Sequence, residues 1–309
     1  MPSTEKRSYR VKNDVSRFLD GTNQRSRFSG EVHGDVNRQK IVADLLVAVK
    51  SRNVVAMKEA YWLATALAIK LDKIDRHLLK IIGSVPVDFF EEVPMKVAID
   101  CWNWILSARQ DLEFLLLEEI LLAWKATVER KMGLFSHDVP EDSPLAADED
   151  SILEPKPPNV AAHDLWIRFF LERIEVAKYS SQDHIELFAM MLHGCLPLDI
   201  GERRNHISRH PAACGVRFRL LHCGLSLLQM DDLLPKSVNK NVLRERIYQT
   251  CLDYFAGPVK CPTQKEQKLL EDTISLLKFW QAMHSDKKHV KASVAGGEFI
   301  SNTGQLIFF

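Results

Sequence analysis

The sequence predicts an all-α protein, an irregular α-solenoid of antiparallel helix pairs. Apolar residues recur at helical spacings of three and four along most of the 309 residues. Alternating segments typical of strands are nearly absent, so no β-α-β order can be traced. No repeat of fixed length is visible, which disfavours the standard repeat families and leaves an irregular array of helix pairs as the simplest architecture.

The composition is that of a globular protein and excludes several classes of function. Apolar residues make up 46% of the chain and charged residues 27%. The 41 basic and 41 acidic side chains give a formal net charge of zero, so no overall field attracts the chain to nucleic acid or anionic lipid. We therefore expect no nucleic-acid partner. The six cysteines are dispersed in helical patterns and predict reduced thiols in the cytosol.

No segment of the sequence resembles a membrane span or a secretory signal. The longest apolar stretch, 112–124, is interrupted by Glu113, Glu118 and Glu119. It is shorter and more charged than the roughly 20 apolar residues that a transmembrane helix needs. The N-terminus also lacks the apolar core of a signal peptide. We expect no transmembrane segment and a cytoplasmic location.

Changes in composition divide the chain into five segments. Residues 1–38 are predicted to form a basic, weakly ordered lead-in, and residues 39–137 a first helical array. Residues 138–158, with seven acidic residues, five prolines and one lysine, are predicted to be an acidic, proline-rich linker. Residues 159–288 resume the helical pattern as a second array. Residues 289–309 lack helical periodicity and form a divergent tail.

The spacing of apolar residues places helices within both arrays. Two or three are predicted between residues 41 and 71, and Gly83, Pro86 and Pro94 are expected to end or restart helices, because proline lacks a backbone N–H. The remaining helices are predicted at 95–108, 111–131, 160–178, 182–194, 213–229, 238–255 and 264–284.

One triplet, Asp75-Arg76-His77, matches the start of the catalytic loop of phosphoinositide kinases. That loop has a metal-binding Asn three residues later, where this chain has Lys80, and no Asp-Phe-Gly follows to hold magnesium. The neighbouring Leu78 and Leu79 predict that the triplet lies inside an amphipathic helix. An exposed polar helix face is therefore the favoured interpretation.

Histidines and cysteines in the second array raise the possibility of a zinc site. Ligand-type side chains occur at His206, His210, Cys214, His222 and Cys223. Pro211 interrupts the helix that would align the first three, and no Cys-x-x-Cys knuckle is present. Surface histidines and small core cysteines explain the pattern better than a metal does.

Paired acids, arginines and tryptophans have ordinary explanations as well. The acids Glu91-Glu92, Glu118-Glu119 and Asp231-Asp232, and the bases Arg203-Arg204, Arg217/Arg219 and Arg244/Arg246, are interpreted as solvated helix surface. The tryptophans at 62, 102, 104, 124, 166 and 280 are interpreted as core or interface anchors. No phosphate-binding loop or hydrolase motif occurs. We predict no catalytic, cofactor-binding or metal-binding residue and assign no partner-binding residue.

The second array carries a resemblance to a known family. Residues 158–229 read PNVAAHDLWIRFFLERIEVAKYSSQDHIELFAMMLHGCLPLDIGERRNHISRHPAACGVRFRLLHCGLSLLQ, which resembles the helical region of the type III alpha phosphatidylinositol 4-kinases. Residues 3–24, 241–255 and 278–288 extend the resemblance over most of the chain. After Lys288 the sequence departs from what the family predicts.

The resemblance implies a helical solenoid that precedes the catalytic domain of a very large lipid kinase. Such a kinase phosphorylates phosphatidylinositol at the 4-position with ATP and Mg²⁺. Its catalytic motifs have no counterpart here, so we expect no cofactor on this chain. The implied partners are a second copy and a tetratricopeptide-repeat scaffold with a hyccin-type subunit and a lipidated anchor, and the implied location is peripheral at the plasma membrane.

Three interpretations follow. The chain is a kinase-less scaffold product or isoform, or an incomplete fragment of an active kinase, or a general helical adaptor that any α-solenoid would satisfy. The first two differ in whether the tail after Lys288 belongs to the authentic protein. We rank the general adaptor last.

Overall fold

The computed structural model describes residues 31–136, 158–196 apart from 178, 180 and 181, 211–228, and separate positions between 230 and 247. Every regular element in these residues is helical, which confirms the predicted all-α class and is consistent with an α-solenoid. The chain divides into two compact units, Met1–Ala126 and Thr127–Phe309. The antiparallel pairing of successive helices and the predicted segment boundaries stay predictions.

The first unit contains α1 Glu31–Lys50, α2 Val54–Lys70, α3 Arg76–Asp88, α4 Glu92–Ala108, a 3-10 turn Gln110–Leu112 and most of α5 Glu113–Glu129. The second unit contains a 3-10 turn Gly133–Phe135, α6 Ala161–Ala177, α7 Gln182–Cys195 and α8 Pro211–Leu228. Positions 240–243 and 246–247 are also helical.

The periodic pattern located most of these helices well. Helices α4 to α8 agree with the predicted segments to within about three residues, as expected for boundaries of regular helices. Helix α1 begins at Glu31, inside the segment that we assigned to the lead-in. The helical positions after residue 239 fall in the helix predicted at 238–255, while the helix predicted at 264–284, most of the acidic linker and the tail lie outside the described residues.

The prediction that Gly83 and Pro86 interrupt a helix was wrong. Both residues lie inside α3, and Pro94 occupies the first turn of α4. Proline is tolerated in a first turn, because the backbone N–H groups there have no partner within the helix. Pro86 is different, since its missing N–H would have bonded to the carbonyl of Ile82.

The carbonyl of Ile82 receives two side-chain hydrogen bonds instead. The Tyr61 hydroxyl of α2 donates to it, and the Trp102 indole Nε1 of α4 donates to it at 3.0 Å. All three groups are buried, and burial raises the pKa of the Tyr61 hydroxyl well above its ordinary value. The proline therefore leaves an acceptor in α3 that two neighbouring helices satisfy.

Gly83 allows α3 to approach α5 closely. A Cβ atom built at Gly83 would lie 3.0 Å from the Cβ of Glu119 and 3.1 Å from its carbonyl carbon. Because part of that contact is backbone, the neighbour cannot simply rotate away. This glycine serves close packing rather than the end of a helix.

Two contacts show that α2 and α4 run in the same direction. At their N-terminal ends, Arg52 pairs with Glu91 at 3.0 Å. At their C-terminal ends, Arg109 donates to the carbonyls of Ile69 at 3.3 Å and Leu71 at 2.5 Å. Helix α3 connects the end of one to the start of the other, an order typical of stacked helical hairpins.

The second unit has a core of aromatic side chains. Helix α6 contacts α7, α8 and the 3-10 turn at Gly133–Phe135. Trp166 and Phe170 of α6 are fully buried, and Phe170 meets Phe188 of α7 edge-on, with ring centroids 5.8 Å apart. This arrangement agrees with the interpretation of Trp166 as a core residue.

The contact at Ile82 predicts a coupling between three residues. We expect Tyr61→Phe to lower the free energy of unfolding by about 1 kcal/mol, because it removes one buried hydrogen bond. In a Pro86→Ala background the restored N–H can bond to the carbonyl of Ile82. Tyr61→Phe should therefore lower the free energy of unfolding by less in that background. A double-mutant cycle measured by urea unfolding tests this, and equal costs in the two backgrounds would contradict it.

The close approach at Gly83 predicts the opposite of the usual helix rule. Replacing a helical glycine by alanine ordinarily stabilises a helix by about 1 kcal/mol. Here we expect Gly83→Ala to destabilise the protein by roughly 1–3 kcal/mol, because the new methyl group overlaps Glu119. Gly194, where a Cβ meets nothing within 4 Å, provides the control in urea unfolding, and equal effects at the two glycines would refute the packing role.

Candidate functional site

Arg76 and His77 lie in the first turn of α3, as predicted, whereas Asp75 stands just before the helix. Asp75 is the N-cap residue, and its Oδ1 accepts a hydrogen bond from the backbone N–H of Leu78 at 3.1 Å. Its carboxylate also pairs with Arg38 of α1, with Nε and Oδ2 2.7 Å apart. Asp75 thus satisfies an N-terminal donor of α3 and connects two helices.

The surroundings of the triplet show what it can do chemically. His77 is exposed and lines a cleft of about 270 Å³ together with Arg38, Gln39 and Val42. Among the side chains that the structure describes, this cleft places no carboxylate beside His77 that could orient its ring as a general acid or base. The triplet is therefore better explained by the fold than by catalysis. It differs from the predicted exposed helix face in that Asp75 caps α3 and pairs with Arg38.

The proposed zinc ligands are not brought together among the described residues. His206, His210 and the side chain of Cys214 lie outside those residues. Cys223 is fully buried in α8, and burial raises the pKa of its thiol above the ordinary range. No group of three His, Cys, Asp or Glu side chains able to hold a metal occurs in the part of the chain that the structure describes.

The prediction that the arginines of α8 form solvated surface was wrong. Arg217 is only 2% exposed. Arg219 reaches Asp164 in the first turn of α6, with Nε and Oδ1 2.5 Å apart, and Arg168 holds the other oxygen of that carboxylate at 3.0 Å. These groups join α6 to α8, because an arginine can bury its stem while its guanidinium binds a carboxylate.

Arg246 is also used inside the fold. Its guanidinium donates to the carbonyl of His193 and to that of Leu196 at 3.1 Å. These carbonyls lie at the end of α7, where helices leave acceptors unsatisfied. Arg246 therefore closes α7, as Arg109 closes α2 in the first unit. Arg203, Arg204 and Arg244 lie outside the described residues.

The acidic pairs divide between the surface and a half-buried position. Glu91 and Glu92 begin α4, as predicted for a helix end. Glu118 and Glu119 are half-buried rather than solvated. Burial and the neighbouring Glu118 raise the pKa of Glu119, and the nearby cations Lys80 and Arg76 partly offset this rise. Asp231-Asp232 lies outside the described residues.

His163 is a fully buried histidine with a lowered pKa, and sequence reasoning missed it. It is fully buried in α6, and burial lowers its pKa to about 3. Its Nδ1 accepts a hydrogen bond from the backbone N–H of Leu134 at 2.9 Å, so Nε2 carries the proton and donates to Thr127 Oγ1 at 3.0 Å. Its neutral, enclosed ring serves the fold rather than proton transfer.

An aromatic surface on the first unit is the best candidate for function. Trp62 of α2 and Trp104 of α4 are both half-buried, with ring centroids 5.9 Å apart. The Nζ of Lys58 lies over the Trp62 ring, 4.7 Å from its centroid. Two adjacent tryptophans that remain partly accessible are typical of a protein-binding hot spot.

The same surface continues toward the N-terminal ends of both helices. Val55 of α2 is 69% exposed and Val93 of α4 is 55% exposed. Each valine lies on the stripe of its helix that carries the tryptophan, because 7 or 11 residues return a helix to nearly the same face. Lys96 and Asp100 lie between Val93 and Trp104 on α4. We define the α2/α4 face as Val55, Lys58, Trp62, Val93, Lys96, Asp100 and Trp104.

Comparison with known proteins shows the family. Residues 43–303 match the PI4-kinase N-terminal region. The chain belongs to the phosphatidylinositol 4-kinase family through this region. The match includes residues 289–303, so the expected departure from the family directly after Lys288 was wrong. It begins at residue 43, so the resemblance predicted for residues 3–24 stays a prediction. For the matched residues up to Lys288, the resemblance predicted from the sequence is confirmed.

Individual relatives agree with the family match. The chain is 50% identical over 167 residues to the human putative phosphatidylinositol 4-kinase alpha-like protein P2, which covers 54% of this chain and 28% of that protein. It is 31% identical over 192 residues to phosphatidylinositol 4-kinase alpha 1 of Arabidopsis thaliana, which covers 58% of this chain and 9% of that protein. It is 24% identical over 229 residues to the yeast phosphatidylinositol 4-kinase STT4, which covers 69% of this chain and 12% of that protein. The chain thus spans under a third of each relative.

The described helices include α1 and α8, which are as long as 20 and 18 residues. None of them is both long enough and apolar enough to cross a bilayer.

Burial of His163 predicts a specific loss of stability in acid. Its folded pKa of about 3 lies below the ordinary value of 6.5. As pH falls below 6.5 the unfolded chain binds a proton that the folded chain cannot. Stability is therefore lost between pH 6.5 and 3, by up to about 1.4 kcal/mol per pH unit.

Urea unfolding of the wild type and of His163→Asn across this pH range measures that contribution. The variant should be less stable at pH 7, because a buried hydrogen-bond network is altered. Its stability should fall less steeply than that of the wild type between pH 6.5 and 3. Parallel pH profiles would show that another group causes the acid sensitivity.

Proposed function

We propose that this chain contributes a helical scaffold segment to a phosphatidylinositol 4-kinase and takes no part of its own in phosphoryl transfer. The match to the N-terminal region of the family carries the proposal. The use of Asp75 as a helix cap supports it, because the one motif that resembles a kinase loop serves the fold. Phosphorylation of phosphatidylinositol to phosphatidylinositol 4-phosphate, with ATP and Mg²⁺, would belong to the parent kinase.

The proposed partners are those of such an assembly. We propose self-association and binding to a tetratricopeptide-repeat scaffold with a hyccin-type subunit and a lipidated anchor. The chain would then reach the plasma membrane peripherally, through these partners. The α2/α4 face supports a binding role, since it presents two tryptophans and two exposed valines outside the core.

A second candidate is favoured by the coverage of the relatives. The chain spans 28%, 9% and 12% of the three proteins that it matches. In this version the chain is one portion of an active lipid kinase, and the function to assign is that of the whole protein. An immunoblot of the source tissue with an antibody against residues 158–229 separates the two candidates. A species of 35.4 kDa supports a separate scaffold product. A far larger species alone supports a chain that is one portion of the whole kinase.

A lipid-kinase assay tests the absence of activity. We expect the purified chain, with ATP, Mg²⁺ and phosphatidylinositol vesicles, to form no more phosphatidylinositol 4-phosphate than a blank, because the candidate carboxylate is engaged in the fold. The Asp75→Asn variant is the control. Product formation by the wild type that this variant abolishes would overturn the proposal, and a pull-down that recovers neither a second copy nor the tetratricopeptide-repeat scaffold would refute the scaffold role.

A further inference from the structure

We draw no further inference here: the strongest candidate, the surface patch of half-buried tryptophans and exposed valines on the α2/α4 face, carries none, because nothing in the structure shows what covers it.

Discussion

The carbonyl of Ile82 is the point at which three helices of the first unit are joined. Pro86 removes the N–H that would bond to it within α3, and Tyr61 and Trp102 supply donors from α2 and α4. A buried acceptor without a partner would be costly. The two donors therefore fix the position of α3 between its neighbours, and the Gly83 contact with Glu119 fixes its approach to α5.

Helix positions could be predicted from the sequence because the apolar period is a property of each helix alone. The error at Pro86 arose because the rule that proline breaks a helix assumes that the freed carbonyl has no other donor. That donor comes from Tyr61 and Trp102, which are distant in the sequence. The ends of α1 and α5 show the same limit of local rules. Arg52 and Lys131 follow these helices and adopt positive φ, a conformation for which glycine is the usual sequence signal.

The arginines show a second limit of sequence reasoning. A charged side chain between apolar residues of a helix is usually solvated, which made surface the reasonable interpretation for Arg217, Arg219 and Arg246. Arg217 is buried, and the partners of Arg219 and Arg246 are a carboxylate and helix-terminal carbonyls far along the chain. Nothing in the local pattern reveals such pairs. The burial of His163 escaped prediction for the same reason, since Leu134 and Thr127 are supplied by other segments.

These polar groups bear on the scaffold role that we propose. Asp75, Arg109, Arg219 and Arg246 satisfy helix ends or join helices, and the neutral ring of His163 is enclosed. Catalysis requires polar groups that face a substrate, and these face the fold. The α2/α4 face differs, because its tryptophans and valines extend beyond the core that Tyr61 and Trp102 organise. Its position follows from the core, since the contacts that align α2 with α4 also align the two stripes that form it.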